Sequence, residues 1–425
     1  MFRTISQNWD PLVPKGESEG LSLALALHSH GIPSRIYELR EPSFNEGGGL
    51  TLTPNALKIL DLLGIYDIIK NEGYTFDRMV VKTDSNVKIA EHLVGNGKLF
   101  GYDAMRINRQ KLMTTLREMV GARGISIEYG RKFSGIIAED AGGVVFEFED
   151  GSRESASVLI GADGIHSKVR QYLHPEVKPV YTGVMCLLST ADKSTFRFPD
   201  TDLYLPRFVA AKHGAFILVP QSPDGNTVAV MSHSQYPDTD RAGWDALRSS
   251  TDKLMAMQVH NKEEYPDFVQ SVMENIQPET MSIWPYNTLP NLDTWTSPTR
   301  RVILLGDAAH AMPPASGQGA AQALEDAYSL SMLLSRASSQ ARYAASVEWW
   351  QAYRMERTRA VSELTQVLND KRRPLASQRN PDADWRGREE GGERRQQGWL
   401  YMPNVHEDTL AWIEREEIRV DRPSL

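Results

Sequence analysis

Between Gly20 and Leu27 the chain reads GLSLALAL. Leu21, Leu23, Leu25 and Leu27 alternate with Ser22, Ala24 and Ala26, so a helix through this stretch is apolar nearly all round, and such a helix is buried. Gly31 supplies a stop and Pro33 reinforces it; Ser34 to Glu38 then reads as a strand ending in an acid. NEGGGLTLTPNALKILDLLGIYDII predicts a glycine loop, a short extended piece and a helix, with Pro54 near its start and Ala56, Ile59, Leu60 and Leu63 on its apolar face. RINRQKLMTTLREMV predicts another amphipathic helix. From Gly124 to Gly151 the period becomes two: ISIEY, FSGIIAE and GVVFEFEDG predict a small antiparallel meander with Asp150-Gly151 as a tight turn.

SVLIGADG predicts a buried strand running into an acidic turn bounded by glycines. From about Tyr181 to Trp284 the chain is richer in strands, and DLYLP, GAFILVPQ and NTVAVMSHS predict a second sheet. RRVILLGDAAHAMPPASGQGAAQALEDAYSLSMLLSR returns to strand, loop and long buried helix, and VEWWQAYRMERTRAVSELTQVLND to another helix. Lys371 to Gln397 is charged and poor in apolar residues, which predicts an exposed, mobile segment; its mixed signs do not suit a nucleic-acid tail. WLYMPNVHEDTLAWI is expected to dock back on the body.

The 425 residues suffice for two domains with real cores, and no internal repeat is visible. A net charge of −8 argues against nucleic acid as the main partner. The single cysteine, Cys186, excludes an internal disulfide framework and fits a reducing compartment; in GVMCLLS it reads as a small buried apolar residue. No apolar run approaches the roughly 18 residues that span a bilayer, and no charged-then-apolar leader opens the chain, so a cytoplasmic location is expected.

Candidate chemistry concentrates between Val302 and Ala327. A buried strand ends in Gly306-Asp307, which puts Asp307 at the carboxyl end of a central strand, where open α/β sheets place ligands. Gly317, Gln318 and Gly319 lead at once into a helix through Ala320, Ala323, Leu324 and Ala327, and small residues there let an electron-rich ligand approach the helix start. The competing reading is a connection whose glycines serve turn geometry alone. In GADGIHSKVR a strand meets Gly161, Asp163 and Gly164, and Ser167 can cap the next helix. Metal-ligand spacings and a Gly-x-Ser-x-Gly elbow are absent.

Together these stretches resemble the FAD-dependent aromatic-ring monooxygenases of the para-hydroxybenzoate and salicylate hydroxylase type, in the style of fungal secondary-metabolism members, from Gly20 to about Pro374. GADGIHSKVR is similar to that family's Asp-Gly motif, which implies a role for Asp163 and Gly164 toward FAD and NAD(P)H. LLGDAAHAMPPASGQGAAQALEDA resembles its Gly-Asp motif, which implies Asp307 at the ribityl and pyrophosphate region and Gly317, Gly319 and Ala320 at the isoalloxazine edge. YELR implies that Glu38 takes the adenosine ribose. GGGLTLTPNALKIL implies Gly48 and Gly49 beside the flavin, and RINRQKL implies Arg109 and Arg106 on the flavin side. WPYNTLPNLDTW also follows the family pattern.

The resemblance implies an α/β fold with α+β elements: a Rossmann-like FAD domain of the glutathione-reductase type with an inserted antiparallel substrate sheet. Its parts are expected at 1–75, 104–180 and 295–370 for the FAD side, and at 76–103 and 181–294 for the substrate side. A charged segment at 371–397 and a tail at 398–425 follow. The implied activity is an FAD- and NAD(P)H-dependent monooxygenase that hydroxylates or epoxidises a small aromatic or polyketide-like substrate with molecular oxygen, through a C4a-hydroperoxyflavin. Such chemistry asks for an apolar pocket, for which Tyr204, Phe208, His213, Phe216, Leu218 and Met231 are candidates; ordinary sheet packing competes for each. His213 and His233 are candidate bases for a phenol, and His310 is placed to order the loop near the flavin.

Two departures stand out. The opening strand and glycine loop are degenerate or missing: Lys15-Gly16-Glu17-Ser18-Glu19-Gly20 stands where Gly-x-Gly-x-x-Gly belongs, and Pro11, Pro14 and Asp10 interrupt the strand before it. Glu17 and Glu19 would meet a pyrophosphate with like charge, which predicts weak FAD binding or none. A different true N-terminus or a diverged relative would each account for it. Second, Leu187 and Leu188 stand where many relatives carry an arginine, which fits a substrate less acidic than a benzoate. The alternatives are a non-catalytic remnant that cannot bind FAD and a flavin-dependent oxidoreductase without oxygen transfer; the halogenase Trp-x-Trp-x-Ile-Pro signature is absent.

Overall fold

The computed structural model describes residues 19–42, 48–199, 204–379 and 398–421, and the backbone of 11–14; of 419–421 likewise only the backbone is described. Among the described residues the strands form four sheets. The innermost is five-stranded and parallel throughout, in the order Val302–Leu304, Val158–Gly161, Pro11–Pro14, Arg35–Tyr37, Ser126–Glu128. PLVP therefore fills the central slot, so of the two expectations for this strand, degenerate or missing, the structure shows the first. It is short, matching neighbours of three or four residues, and its prolines stand at its two ends, so Leu12 and Val13 keep their ladder donors between parallel partners. Lys15 to Ser18 of the degenerate loop lie outside the described residues.

The helix Glu19–Ser29 is buried from Gly20 to Leu27, as its all-round apolar pattern predicts. It packs against the helices Arg109–Ala122 and Gly319–Ser335. An antiparallel meander covers the sheet elsewhere; Tyr37 meets Phe148 with ring centres 4.9 Å apart. That meander is Phe133–Asp140, Gly143–Phe148 and Arg153–Ala156. ISIEY does not join it: Ser126–Glu128 pairs in parallel with Arg35–Tyr37 at the edge of the inner sheet. RIN likewise belongs to the strand Ala104–Asn108, and the helix begins at Arg109 behind an Asn108 side-chain cap.

A seven-stranded sheet runs Ser282–Thr288, Val180–Asp192, Thr227–Gln235, Phe216–Pro220, Arg207–Ala210, Arg78–Thr83, Lys88–Leu93. Strands from residues 78–93 thus pair with those from beyond 180, through one parallel junction between Arg78–Thr83 and Arg207–Ala210. DLYLP does not form a strand at Tyr204, and Asp202 and Leu203 lie outside the described residues. The helix Asp267–Glu274 packs on one face of this sheet. The 31-residue helix Gln340–Asp370 closes the molecule, and the tail docks through Leu400 and Tyr401 on Phe100, Val361 and Leu364. The expectation of an exposed segment from Lys371 is corrected at its start, where Lys371, Arg372 and Arg373 are buried; residues 380–397 lie outside the described ones.

Candidate active site

The carboxyl end of the parallel sheet and the seven-stranded sheet enclose one cavity of about 470 Å³. One half is polar and glycine-rich. Gly48 and Gly49, Arg106, Arg109, Asp307, Gly317, Gly319, Ala320 and Glu19 line it. The other half is apolar: Phe76, Met79, Val81, Leu188, Phe208, Ile217, Val219, Met231 and Ile283 form its walls, and Trp399, Leu400 and Tyr401 of the tail close it.

The Gly-Asp turn owes its shape to a buried ionic cluster. Gly306 adopts φ +59°, and its N–H donates to Asp326 Oδ2 at 3.1 Å. His310 Nε2 reaches the same oxygen at 2.6 Å, so His310 does order this loop. Arg354 donates to Asp326 Oδ1 and Glu325 Oε2, both at 2.6 Å, and Arg357 Nε reaches Glu325 Oε2 at 2.6 Å. Burial alone would raise both carboxyls, but Arg354 acts on both, with Arg357 on Glu325 and His310 on Asp326, and they hold both pKa values below the ordinary range. Asn55 joins Glu325 to Gln318, at 2.7 and 3.0 Å, which ties the Gly-Gln-Gly loop to the helix Pro54–Leu62.

At Gly49 the polar half is unfinished. Arg106 Nε and Gln221 Oε1 are buried and have no hydrogen-bond partner among the described residues. A Cβ built on Gly49 would stand 2.4 Å from the first and 2.3 Å from the second. A donor and an acceptor thus converge on a spot that only glycine leaves open, as the mixed donor and acceptor edge of a flavin requires. Burial, with Arg109 beside it, brings the Arg106 pKa down to about 10. On this side the residues fit FAD. Across the same half, Glu19 faces Asp307. Burial, reinforced by Asp307, pushes the Glu19 pKa up to about 7, and burial raises Asp307 as well.

In the apolar half one polar group stands out. His233 Nδ1 lies 3.1 Å from the Ala215 carbonyl, which makes it the protonated nitrogen. Nε2 is then an acceptor, 2.8 Å from Tyr286 Oη. Burial and the neighbouring Arg372 keep His233 neutral. Arg372 donates to Tyr286 Oη at 3.0 Å and to the Ala315 carbonyl at 3.2 Å. The Tyr286 O–H is spent on His233, so its oxygen can offer a further partner only a lone pair.

Of the residues singled out in the sequence, Gly48, Gly49, Arg106, Arg109, Asp307, Gly317, Gly319 and Ala320 come together at the cavity, as do Phe208 and Met231. Glu38, Asp163 and Gly164 do not line it. Glu38 Oε1 accepts the Arg40 N–H at 2.8 Å, just past its strand. Asp163 Oδ2 accepts the Lys168 and Val169 N–H groups, and Ser167 caps the same helix at Arg170. Phe216 and Leu218 are corrections: they pack under Phe268, Val269 and Val272 on the opposite sheet face, and Ile217 and Val219 take the cavity side. Tyr204 is bound to Asp77 at 2.8 Å and His213 to Glu264 at 3.0 Å, both away from the cavity. His233 is sealed behind Tyr286. Cys186 is buried, and burial pushes its thiol up to about 12, consistent with a packing residue. Sequence reasoning missed Tyr286 and Arg372. Arg372 had one signal, a Lys-Arg-Arg run directly after a long helix.

The model of a family described as an FAD binding domain matches residues 16–367. The FAD-dependent monooxygenase ausM of Penicillium brasilianum is 26% identical over 357 residues, 77% of this chain and 70% of that protein. The 6-hydroxynicotinate 3-monooxygenase of Bordetella bronchiseptica is 28% identical over 373 residues, covering 85% and 91%. A salicylate hydroxylase substrate complex superposes with a TM-score of 0.75 at 21% identity, over 95% of this chain and 97% of that one, a likeness of fold. Among the described residues no helix is long and apolar enough to cross a membrane.

Proposed function

The chain belongs to the FAD binding domain family and is a flavin-dependent monooxygenase, and from that premise we propose that it inserts one oxygen atom, with NAD(P)H as reductant, into a small, uncharged aromatic or polyketide-like substrate. The observation that carries the proposal is the cavity whose polar, glycine-rich half opens directly into an apolar one.

Arg106, Gln221 and Gly49 would hold the polar edge of the isoalloxazine, Gly317, Gly319 and Ala320 would let it approach the helix start, and Asp307 would take the ribityl hydroxyls. Glu38 would serve the adenosine ribose. Bound FAD supplies the redox chemistry, accepting a hydride and activating molecular oxygen. The protein's share is positioning and dryness. The apolar walls and the cover of Trp399, Leu400 and Tyr401 exclude bulk water, and the narrow cavity orients the ring to be oxidised. Tyr286 Oη accepts a hydrogen bond from a substrate hydroxyl. Leu188 lines the wall, an apolar neighbour that favours a substrate less acidic than a benzoate. The 6-hydroxynicotinate relative's name points to the same scale of substrate.

The test supplies FAD-loaded protein with NADH or NADPH and a panel of mono- and bicyclic phenols under isotopically labelled oxygen. The expected result is substrate-dependent nicotinamide oxidation with one labelled oxygen in the product. Nicotinamide oxidation that no phenol stimulates and that yields no labelled product overturns the proposal.

A further inference from the structure

We propose that Glu19 is part of the cofactor cradle in its neutral form, a hydrogen-bond donor that must hold a proton for FAD to bind, so that FAD uptake draws a proton from solution. This rests on the FAD reading above.

Glu19 opens its helix and lines the polar half of the cavity together with Asp307. Its side chain lies against the Gly-Asp turn: Glu19 Cγ and Cδ lie 3.0 and 3.6 Å from where a Cβ on Gly306 would stand, and the helix behind it is buried from Gly20 onward. The carboxyl therefore stands beside that turn. The charged groups facing it among the described residues are Asp307 and His310 from that turn and Arg109 from the helix Arg109–Ala122. His310 is already bonded to Asp326, and Arg109 also acts on Asp307. Two carboxylates share these cations before any ligand arrives, and a pyrophosphate adds two more negative charges. Coulomb repulsion in an enclosed site makes the ionised form of Glu19 the one that must be lost. A neutral carboxyl costs little there and gains a donor, which the Asp307 carboxylate or a phosphate oxygen can accept. The raised pKa in the free protein points the same way.

By linkage, the dissociation constant should be flat at low pH and rise about tenfold per pH unit above roughly pH 7. The experiment titrates the apo-protein with FAD, following the flavin's fluorescence, from pH 6 to 8.5 at fixed ionic strength, for wild type and Glu19→Gln. Wild type is expected to lose about 15-fold in affinity between pH 7 and 8.5, whereas the glutamine, a permanent donor, stays tight and flat. Calorimetry at pH 8 in two buffers of different ionisation heat should show about one proton taken up by wild type and none by the variant. A flat wild-type profile, or an equal slope in Glu19→Gln, overturns the inference. If the variant fails to fold by circular dichroism, wild-type proton uptake decides alone, and zero uptake overturns it. FAD that binds neither protein even at pH 6 overturns the cofactor reading itself, and this inference with it.

Discussion

Position 49 shows how little room the polar half of the cavity leaves. Gly49→Ala would place a methyl group between Arg106 Nε and Gln221 Oε1, both buried, at distances no Cβ tolerates. We expect a folded protein with unchanged far-ultraviolet circular dichroism that retains less than about a tenth of the wild-type flavin, measured by absorbance after desalting. Tyr286 is a second single-atom test. Tyr286→Phe removes the acceptor proposed for a substrate hydroxyl, and one such bond contributes about 1 kcal/mol. KM for a phenol should rise about fivefold, and KM for its methyl ether should not move. At this scale the sequence was legible where a residue type is irreplaceable, as at Gly49, Asp307 and Gly317. It was illegible along FILV, residues 216–219, where both sheet faces are buried and no alternation distinguishes the cavity side from the packing side. Arg372 and Tyr286 were hidden for another reason: 86 residues separate them, and only the folded sheet brings them within 3.0 Å.

Elements are held in place by the carboxylates of the helix Gly319–Ser335. Arg354, fully buried, joins Asp326 and Glu325 and so fixes the Gly-Asp turn to two helices. Arg354→Met leaves two buried carboxylates short of a partner, and we expect a loss of about 3–5 kcal/mol in denaturant unfolding at pH 7. The sign of the pH dependence follows from the depressed pKa values. In wild type the stabilisation is complete above the ordinary carboxylate range near pH 4 and is lost as the pH falls through the lower folded values. In the variant Arg357 and His310 remain while one charge partner of each carboxyl is lost, so both carboxyls move up toward the ordinary range and the stability lost on acidification should be smaller than in wild type. Thermal unfolding across that range separates the two. The strand Val302–Leu304 and the helices beside it could be read from apolar runs with clear stops. PLVP could not, because a four-residue strand bounded by prolines carries no periodic signal; only parallel neighbours at 35–37 and 158–161 select it.

In the whole molecule the two sheets meet through segments remote from both. The end of the helix Gln340–Asp370 is stitched to the seven-stranded sheet: Ala215 N–H donates to the Arg372 carbonyl at 3.1 Å, and Arg373 to the Thr182 carbonyl. Arg357 donates to the carbonyls of Trp399 and Leu400 as well as to Glu325, so the cover over the cavity hangs on the cluster that shapes its floor. Trp399→Ala should open the apolar half to water. We expect fewer molecules of product per nicotinamide oxidised at an unchanged melting temperature, read by product analysis against nicotinamide absorbance.

The parallel sheet also carries a consequence for biosynthesis. Its central strand and the apolar helix behind it are made before their partners at Val158–Gly161, Val302–Leu304 and Gly319–Ser335, which follow up to about 300 residues later. At ribosomal speeds of roughly 5–20 residues per second, Leu21, Leu23, Leu25 and Leu27 wait about 15 to 60 s for the last of their cover. The nascent chain should therefore lean on chaperones from its first helix onward, and chains stopped near residue 300 should aggregate while those carried past Ser335 gain the partner that hides this helix.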